Sequence, residues 1–267
     1  MKFLPATLLV LTLGLGIGWA IRHPSKQRET VHEAPLTPAQ IPTTEPHAAT
    51  TQHYRYGEAS ADGIGKFFYD REIAQVMGHP AIGWLERENR EDEEAPTKAI
   101  NALELAPDAV IADIGAGSGY YSFRIAPKVP RGRVVAVDIQ QEMLDFLKKR
   151  SEELKISNIQ PHLGTLKGLD LPEKSLDAAL MVDAYHEFSD PAEMLESLFK
   201  SLKPGGRIFL LEYRAEDPLV PIKPLHKMTE AQARLELESA GFRFISNRRH
   251  LPWQHFMAFE RPSFPSP

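Results

Sequence analysis

The chain has 267 residues, with 31 Lys and Arg against 36 Asp and Glu, a formal charge of −5, a hydrophobic share of 42% and a charged share of 25%. These are ordinary globular values. They exclude a chain disordered throughout, a coiled coil and a multi-span membrane protein, and disfavour a general polyanion binder, which carries a basic excess. The absence of cysteine removes disulfides, thiolate metal sites and cysteine nucleophiles.

Phe3 to Ile21 carries no charge. As a helix it spans roughly 28 Å, close to a ~30 Å hydrocarbon core. Two expectations compete: a signal peptide cut after Ala20, with Gly18 and Ala20 as the small residues at the cleavage site, or an uncut single anchor. Residues 1–21 are therefore expected to anchor the protein to a membrane or to direct its export, with the side of the domain open. Residues 22–60 read as a Pro-rich tether: Pro24, Pro35, Pro38, Pro42 and Pro46 fall among Thr, Ala, Gln and His. Such a stretch cannot bury enough surface to offset its ordering entropy. The globular domain is expected over residues 61–262.

Within that domain Asp70–Glu86 and Glu91–Leu105 read as two leading helices. Val110–Ile114 is a short apolar strand, followed by a helix over 119–126. Arg133–Val137 is the next strand, and residues 140–154 form a helix with Met143, Leu144, Leu147 and Leu154 on one face. Asn158–Leu163 and Leu176–Val182 read as strands. Asp190, Pro191 and Glu193 have the spacing of a capping box, opening a helix that stops at Lys203-Pro204-Gly205-Gly206. Arg207–Glu212 is a fifth strand. Thr229 and Gln232 open a further helix that ends at Gly241. Phe242–Arg248 and Gln254–Glu260 are too close together for a crossover helix and must pair antiparallel. The hairpin turn holds Trp253, read as core. The expected fold is α/β: a doubly wound, seven-stranded, mostly parallel, Rossmann-like sheet with a C-terminal antiparallel hairpin strand.

In such sheets ligands sit beyond the carboxyl ends of the strands at a switch point. The first of these strands runs into Asp113-Ile114-Gly115-Ala116-Gly117-Ser118-Gly119-Tyr120-Tyr121. Alternating glycines let backbone pass under a ligand, and the helix that follows offers free N–H groups. A dinucleotide fingerprint needs its third glycine where Tyr120 stands, which argues against NAD and FAD. Asp113, a carboxylate before the loop, suits an ammonium better than a pyrophosphate. Asp138, at the tip of the second strand, is placed to accept two ribose hydroxyls.

The set D-I-G-A-G-S-G-Y-Y, V-V-A-V-D-I-Q-Q-E-M-L, L-D-A-A-L-M-V-D-A-Y-H-E-F and L-K-P-G-G-R-I-F-L-L-E-Y-R resembles the class I S-adenosylmethionine-dependent methyltransferases over roughly residues 70–260. The resemblance implies S-adenosyl-L-methionine as cofactor. It implies that Gly115, Gly117 and Gly119 underlie its methionine part, that Asp113 lies near its amino group, that Asp138 holds the ribose and that Ile139 flanks the adenine. Many relatives carry Gly-Asp after the third strand; here Gly164-Thr165 stands there, so the Thr165 hydroxyl or the Leu166 backbone is the expected substitute. Asp183, which opens the loop after the fourth strand, is grouped with the cofactor residues.

The resemblance places the loop Asp183–Phe188 opposite the departing methyl. The tetrad of amino-group methylases acting on DNA or on protein glutamine is absent, so a small-molecule acceptor is expected and nucleic acid is not. His186 is the candidate general base, with Tyr185 lining the acceptor side. His79, Tyr213, Arg214 and His226 are the candidate substrate contacts. No second acid stands at a convincing position beside Asp183, so no metal site is expected. The other readings are a non-catalytic cofactor-binding or interaction domain, and a nicotinamide oxidoreductase. The sequence leaves the oligomeric state open.

Overall fold

The computed structural model describes residues 54–263. The apolar segment 3–21 and the stretch through residue 53 lie outside the described residues, and with them the choice between signal peptide and anchor. The expected membrane localisation is corrected. Among the described residues no helix is long and apolar enough to cross a membrane. The longest of them, over Gln141–Leu154, would span only about 21 Å and carries a charged face.

The chain enters through a small antiparallel sheet, β1 (Tyr54–Tyr56), β2 (Gly63–Phe68) and β3 (Arg71–Ala74). Its apolar side, Phe68 and Ile73, packs on Ala192. The expected leading helix over 70–86 is therefore corrected to β3 followed by a 3₁₀ turn at His79–Ala81 and a single helical turn, α1 (Ile82–Leu85). Its partner is broken into α2 (Arg90–Glu94) and α3 (Pro96–Ala102), because Ala95 adopts a left-handed φ of 51° ahead of Pro96. Among the described residues, β1 at Tyr54–Tyr56 lies within the stretch read as tether.

The main sheet contains β4 (Val110–Ile114), β5 (Arg133–Asp138), β6 (Ile159–Leu163), β7 (Leu176–Val182), β8 (Leu202–Leu211), β9 (Arg243–Asn247) and β10 (Met257–Glu260). Their order is β6-β5-β4-β7-β8-β10-β9. The first five run parallel, while β10 pairs antiparallel with both β8 and β9. The expected doubly wound seven-stranded sheet is thus the observed one. The helices between its strands are α4 (Tyr120–Ile125), α5 (Gln141–Leu154), α6 (Pro191–Ser201) and α7 (Glu230–Ser239).

Period-two alternation divides the core between the two faces of the sheet. Ile111, Val134, Ala136, Ala178 and Leu180 face Phe123, Ile125 and Leu147. Ala112, Val135, Val137, Ala179 and Met181 face Leu195, Leu198 and Leu237. Burying each leucine of this kind contributes about 1.5–3 kcal/mol. Leu154 was read with the buried face of α5, but it lies at the last turn and is 52% exposed. Trp253 is only half-buried.

Capping divides cleanly. Thr229 accepts the Gln232 amide at 3.0 Å, as its spacing predicts. The capping box at Asp190 does not form. Asp190 Oδ1 instead receives Lys66 Nζ at 2.8 Å, and Glu193 receives the Tyr54 hydroxyl at 2.7 Å. Tyr54 also accepts the Ala192 amide at 3.0 Å, so the small sheet itself caps α6. From β4 the chain passes to β5 on one side, while β7 pairs on the other, and their connections diverge. That divergence opens the crevice beyond Ile114 and Val182.

Candidate active site

The turn from β4 into α4 is built on positive φ. Gly115, Gly117 and Gly119 have φ of 73°, 54° and 76°, which side chains rarely tolerate. Their reasons differ. A Cβ on Gly117 would lie 2.7 Å from Leu85 Cδ1 under α1, and one on Gly119 would lie 2.1 Å from Leu147 Cδ2. Gly115 and Gly117 line the crevice, whereas Gly119 permits close packing of α4 on α5. The Gly115 and Ala116 amides donate to Val137 O at 2.9 and 3.0 Å, tying the loop to β5.

Asp138 completes that tie. Its Oδ2 accepts the Gly117 amide and its Oδ1 accepts the Gln140 amide, each at 2.9 Å. Burial raises its pKa above the ordinary carboxylate value, and the backbone donors Gln140, Gly117 and Ile139 partly offset that. Ile139, 38% exposed, and Leu166, 53% exposed, present apolar surface to the same cavity. The Thr165 hydroxyl lines it too, but donates to Gly168 O at 3.1 Å within its own turn. Asp113 lies behind the loop and not among the lining residues: its carboxylate accepts the Ser122 hydroxyl at 2.6 Å. Burial pushes its pKa up to about 6, the Ser122 hydrogen bond opposes this, and Asp138 adds to it.

One cavity of about 440 Å³ runs from this loop, past Asp138 and Asp183, to His186, Glu187 and His226. Residues 111–206 match the family model of a methyltransferase domain. The uncharacterized methyltransferase YcgJ of Bacillus subtilis is 25% identical over 166 residues, 61% of this chain and 65% of that protein. The uncharacterized methyltransferase Rv3342 of Mycobacterium tuberculosis is 37% identical over 117 residues, 43% of this chain and 44% of that protein. A SAM-dependent methyltransferase from Aquifex aeolicus shares the fold at a TM-score of 0.66 and 23% identity, covering 69% of this chain and 99% of that one. These matches bear out the expected resemblance to the S-adenosylmethionine-dependent methyltransferases in fold and over residues 111–206. The matched region spans 65%, 48% and 32% of the first three curated relatives.

Beyond the glycine loop, the cavity is lined by groups on the loops after β7 and β8. Asp183 follows β7 at a φ of 48°. Its Oδ2 accepts Gln254 Nε2 at 2.6 Å, while its Oδ1 and Gln254 Oε1 are buried without a partner. Burial, then the carboxylates of Glu94 and Glu212, push the Asp183 pKa well above the ordinary range. Tyr213 lines the cavity and donates to Glu94 Oε1 at 2.7 Å, and burial raises its pKa. Glu94 is fully buried between Arg87, Arg90 and Tyr213.

His186 sits 1% exposed in the 3₁₀ turn Tyr185–Glu187. Its Nδ1 lies 2.6 Å from Glu212 Oε2, and its Nε2 lies 3.1 Å from His226 Nδ1. Burial alone would lower the imidazole's pKa; the Glu212 carboxylate outweighs it and holds the ring above its ordinary value. His186 and His226, expected on separate grounds, thus meet.

Three candidates do not join them. Tyr185, expected to line the acceptor side, is instead fully buried against Phe188, with the Arg71 guanidinium 5.6 Å from its ring. His79 is exposed and absent from the cavity lining, and its backbone amide donates to Gln140 Oε1 at 2.8 Å. Arg214 points away from the cavity and donates to the carbonyls of Leu251, Pro252 and Gln254, strapping the approach to β10.

Reading the sequence missed Glu94, Gln140, Glu187, Glu212 and Gln254. Gln140 is a clamp: Nε2 donates to Met77 O at 2.8 Å while Oε1 holds the His79 amide, fixing residues 77–79 at the rim. Glu187 Oε2 accepts the Met77 amide at 3.1 Å from the other side. Glu187 and Glu212 did carry a signal, as acids adjoining the two candidate loops, but their histidine partners His226 and His186 come from 39 and 26 residues away.

Proposed function

We propose that this chain transfers the methyl group of S-adenosylmethionine to a small-molecule acceptor bound at the His186 end of the cavity. The observation that carries this reading is the continuity of one cavity from the glycine loop to the histidines. Its volume falls in the ~300–1,000 Å³ range of small-molecule sites.

The residues present fit the cofactor. Gly115 and Gly117 leave backbone bare where a side chain would intrude. Asp138 uses two acceptor positions on Gly117 and Gln140, and a carboxylate has about four. The remaining acceptor capacity suits a ribose hydroxyl. Ile139, Met143 and Leu166 form apolar walls for a flat base. The unpartnered Asp183 Oδ1, on a residue that lines the cavity, is a buried acceptor suited to an ammonium. Asp113 would act on that end only through the loop, since Ser122 holds its carboxylate.

When bound, the cofactor supplies a methyl carbon already activated by the sulfonium charge. The chain then has to hold the acceptor in line and keep water out, and such positioning contributes ~7–11 kcal/mol of the barrier. Val76, Met77, Trp84, Leu85 and Ile222 give the cavity further apolar walls. His186, with Glu187 and His226, faces the reacting atom and handles the charge or proton that the acceptor gives up. The formal charge of −5 further supports a small acceptor over nucleic acid.

Calorimetry on the full chain tests the cofactor half. S-adenosylmethionine and its demethylated product are expected to bind with one-to-one stoichiometry, and NAD is not. A metabolite extract treated with labelled methyl donor is expected to yield a labelled small molecule. No binding of either cofactor form overturns the reading.

A further inference from the structure

We propose that His186 Nε2, His226 Nδ1 and Glu187 Oε1 are three ligands of a divalent transition-metal ion of the zinc type, whose open position faces the cavity and takes an anionic heteroatom of the acceptor. This rests on the methyltransferase reading only for the identity of that fourth ligand.

The three atoms lie within 4.8 Å of one another. The separations are 3.1 Å between the two imidazole nitrogens, 3.5 Å from His226 to Glu187 and 3.7 Å from His186 to Glu187. The last two are too long for hydrogen bonds. They match the edges of a coordination shell. Ligands at about 2.0–2.1 Å in tetrahedral array stand about 3.4 Å apart, and the three observed edges average about 3.4 Å.

The surroundings are those of a metal site. Histidine ligands are held by an outer carboxylate on the other ring nitrogen. Glu212, fully buried, sits 2.6 Å from His186 Nδ1 and so turns the Nε2 lone pair toward the cluster. Glu187 is held in turn by the Met77 amide on Oε2, leaving Oε1 toward the histidines.

Charge points the same way. Glu187 and Glu212 are both buried or nearly so, and among the described residues neither pairs with a Lys or Arg. Nearby cations are engaged elsewhere: Arg71 with Glu236 and the His186 carbonyl, Lys223 with Asp62, Arg87 and Arg90 with Glu94. A divalent ion would balance both carboxylates. Two imidazoles and one carboxylate disfavour Mg²⁺ and Ca²⁺, which take oxygen ligands, and leave a position open as catalytic zinc sites do.

The test uses the full chain, dialysed against chelator and titrated with Co²⁺. One equivalent is expected to bind with the visible bands of tetrahedral cobalt, and Zn²⁺ is expected to displace it. His226→Ala, on a half-buried loop, and the near-isosteric Glu187→Gln should each weaken Co²⁺ binding at least about tenfold. His162→Ala, on the edge strand β6 and outside the cavity lining, should leave it unchanged. Absence of uptake, or uptake equal in the native chain and both cluster variants, overturns the site. Cofactor calorimetry on the same samples separates the two readings: cofactor binding without cobalt uptake removes only the metal site, and cobalt uptake without cofactor binding removes only the methyltransferase reading.

Discussion

Asp138 Oδ2 accepts the Gly117 amide at 2.9 Å, so the tip of β5 and the glycine loop after β4 are one rigid piece. The same carboxylate receives the Gln140 amide, which carries the clamp over residues 77–79. Asp138→Ala is therefore expected to weaken S-adenosylmethionine binding by about 2 kcal/mol or more, since charge-assisted hydrogen bonds are lost. Calorimetry measures this, and equal affinity in the variant removes the ribose assignment. The thermal midpoint should fall too, because the buried Gly117 amide and the part-buried Gln140 amide lose their acceptor.

That loop was legible in the sequence because its constraint is local. Three glycines and a strand-tip acid are read directly from spacing, and so is the existence of every strand from β4 onward, although β8 starts at Leu202, five residues before the expected Arg207. The segment over 70–86 was not legible. Arg71-Glu72-Ile73-Ala74 carries no strand alternation, and β3 exists because Ile73 finds Phe68 and Ala192, the latter more than a hundred residues away. Tyr185 illustrates a second limit. Its neighbours in sequence face the cavity, but the 3₁₀ turn sends Tyr185 into the core and His186 out of it. The His186–Glu187–His226 cluster needs the chain after β8 to fold back over the loop after β7, a relation no spacing records.

Burial makes Asp113 a pH-dependent liability. Its pKa stands near 6 in the folded chain against an ordinary 3.8. The native state therefore binds the extra proton, so this residue favours folding below about pH 4, and that contribution is lost as pH rises through 6. Each tenfold in proton affinity is worth about 1.4 kcal/mol, giving about 3 kcal/mol at most. Asp113→Asn keeps an acceptor for the Ser122 hydroxyl. It should stabilise the domain by about 2–3 kcal/mol above pH 7 and hardly at all at pH 4. Denaturant titrations across that range check the sign; a gain of equal size at pH 4 and pH 8 would exclude titration of Asp113 as its source.

The start of the domain can be placed by stability. Tyr54 donates to Glu193 and accepts the Ala192 amide, joining β1 to the first turn of α6. Tyr54→Phe should cost about 1–3 kcal/mol through these hydrogen bonds. A chain beginning at residue 54 should be more stable than one beginning at residue 61, which lacks β1 altogether. Equal melting of the two would make β1 dispensable and return the boundary to residue 61.

Glu212 decides how His186 presents itself to the cavity. Both carboxylate oxygens face that residue, Oε1 accepting its amide at 3.3 Å and Oε2 lying 2.6 Å from its ring Nδ1. Only a proton on Nδ1 satisfies Oε2, so in the neutral ring the free lone pair is on Nε2, toward His226 and Glu187. Glu212→Gln preserves volume but puts an amide N–H where an acceptor stood. That donor favours the opposite tautomer, with the proton on Nε2. Methyl transfer to an acceptor found in the extract should then fall roughly 10–100-fold, as for other outer partners of working histidines. Cofactor affinity should hold, because Glu212 does not line the cavity. Co²⁺ affinity should fall in parallel, since the ligand nitrogen is now protonated. Turnover and Co²⁺ affinity both within threefold of the native chain would reduce Glu212 to a packing role and leave the orientation of His186 to His226 alone.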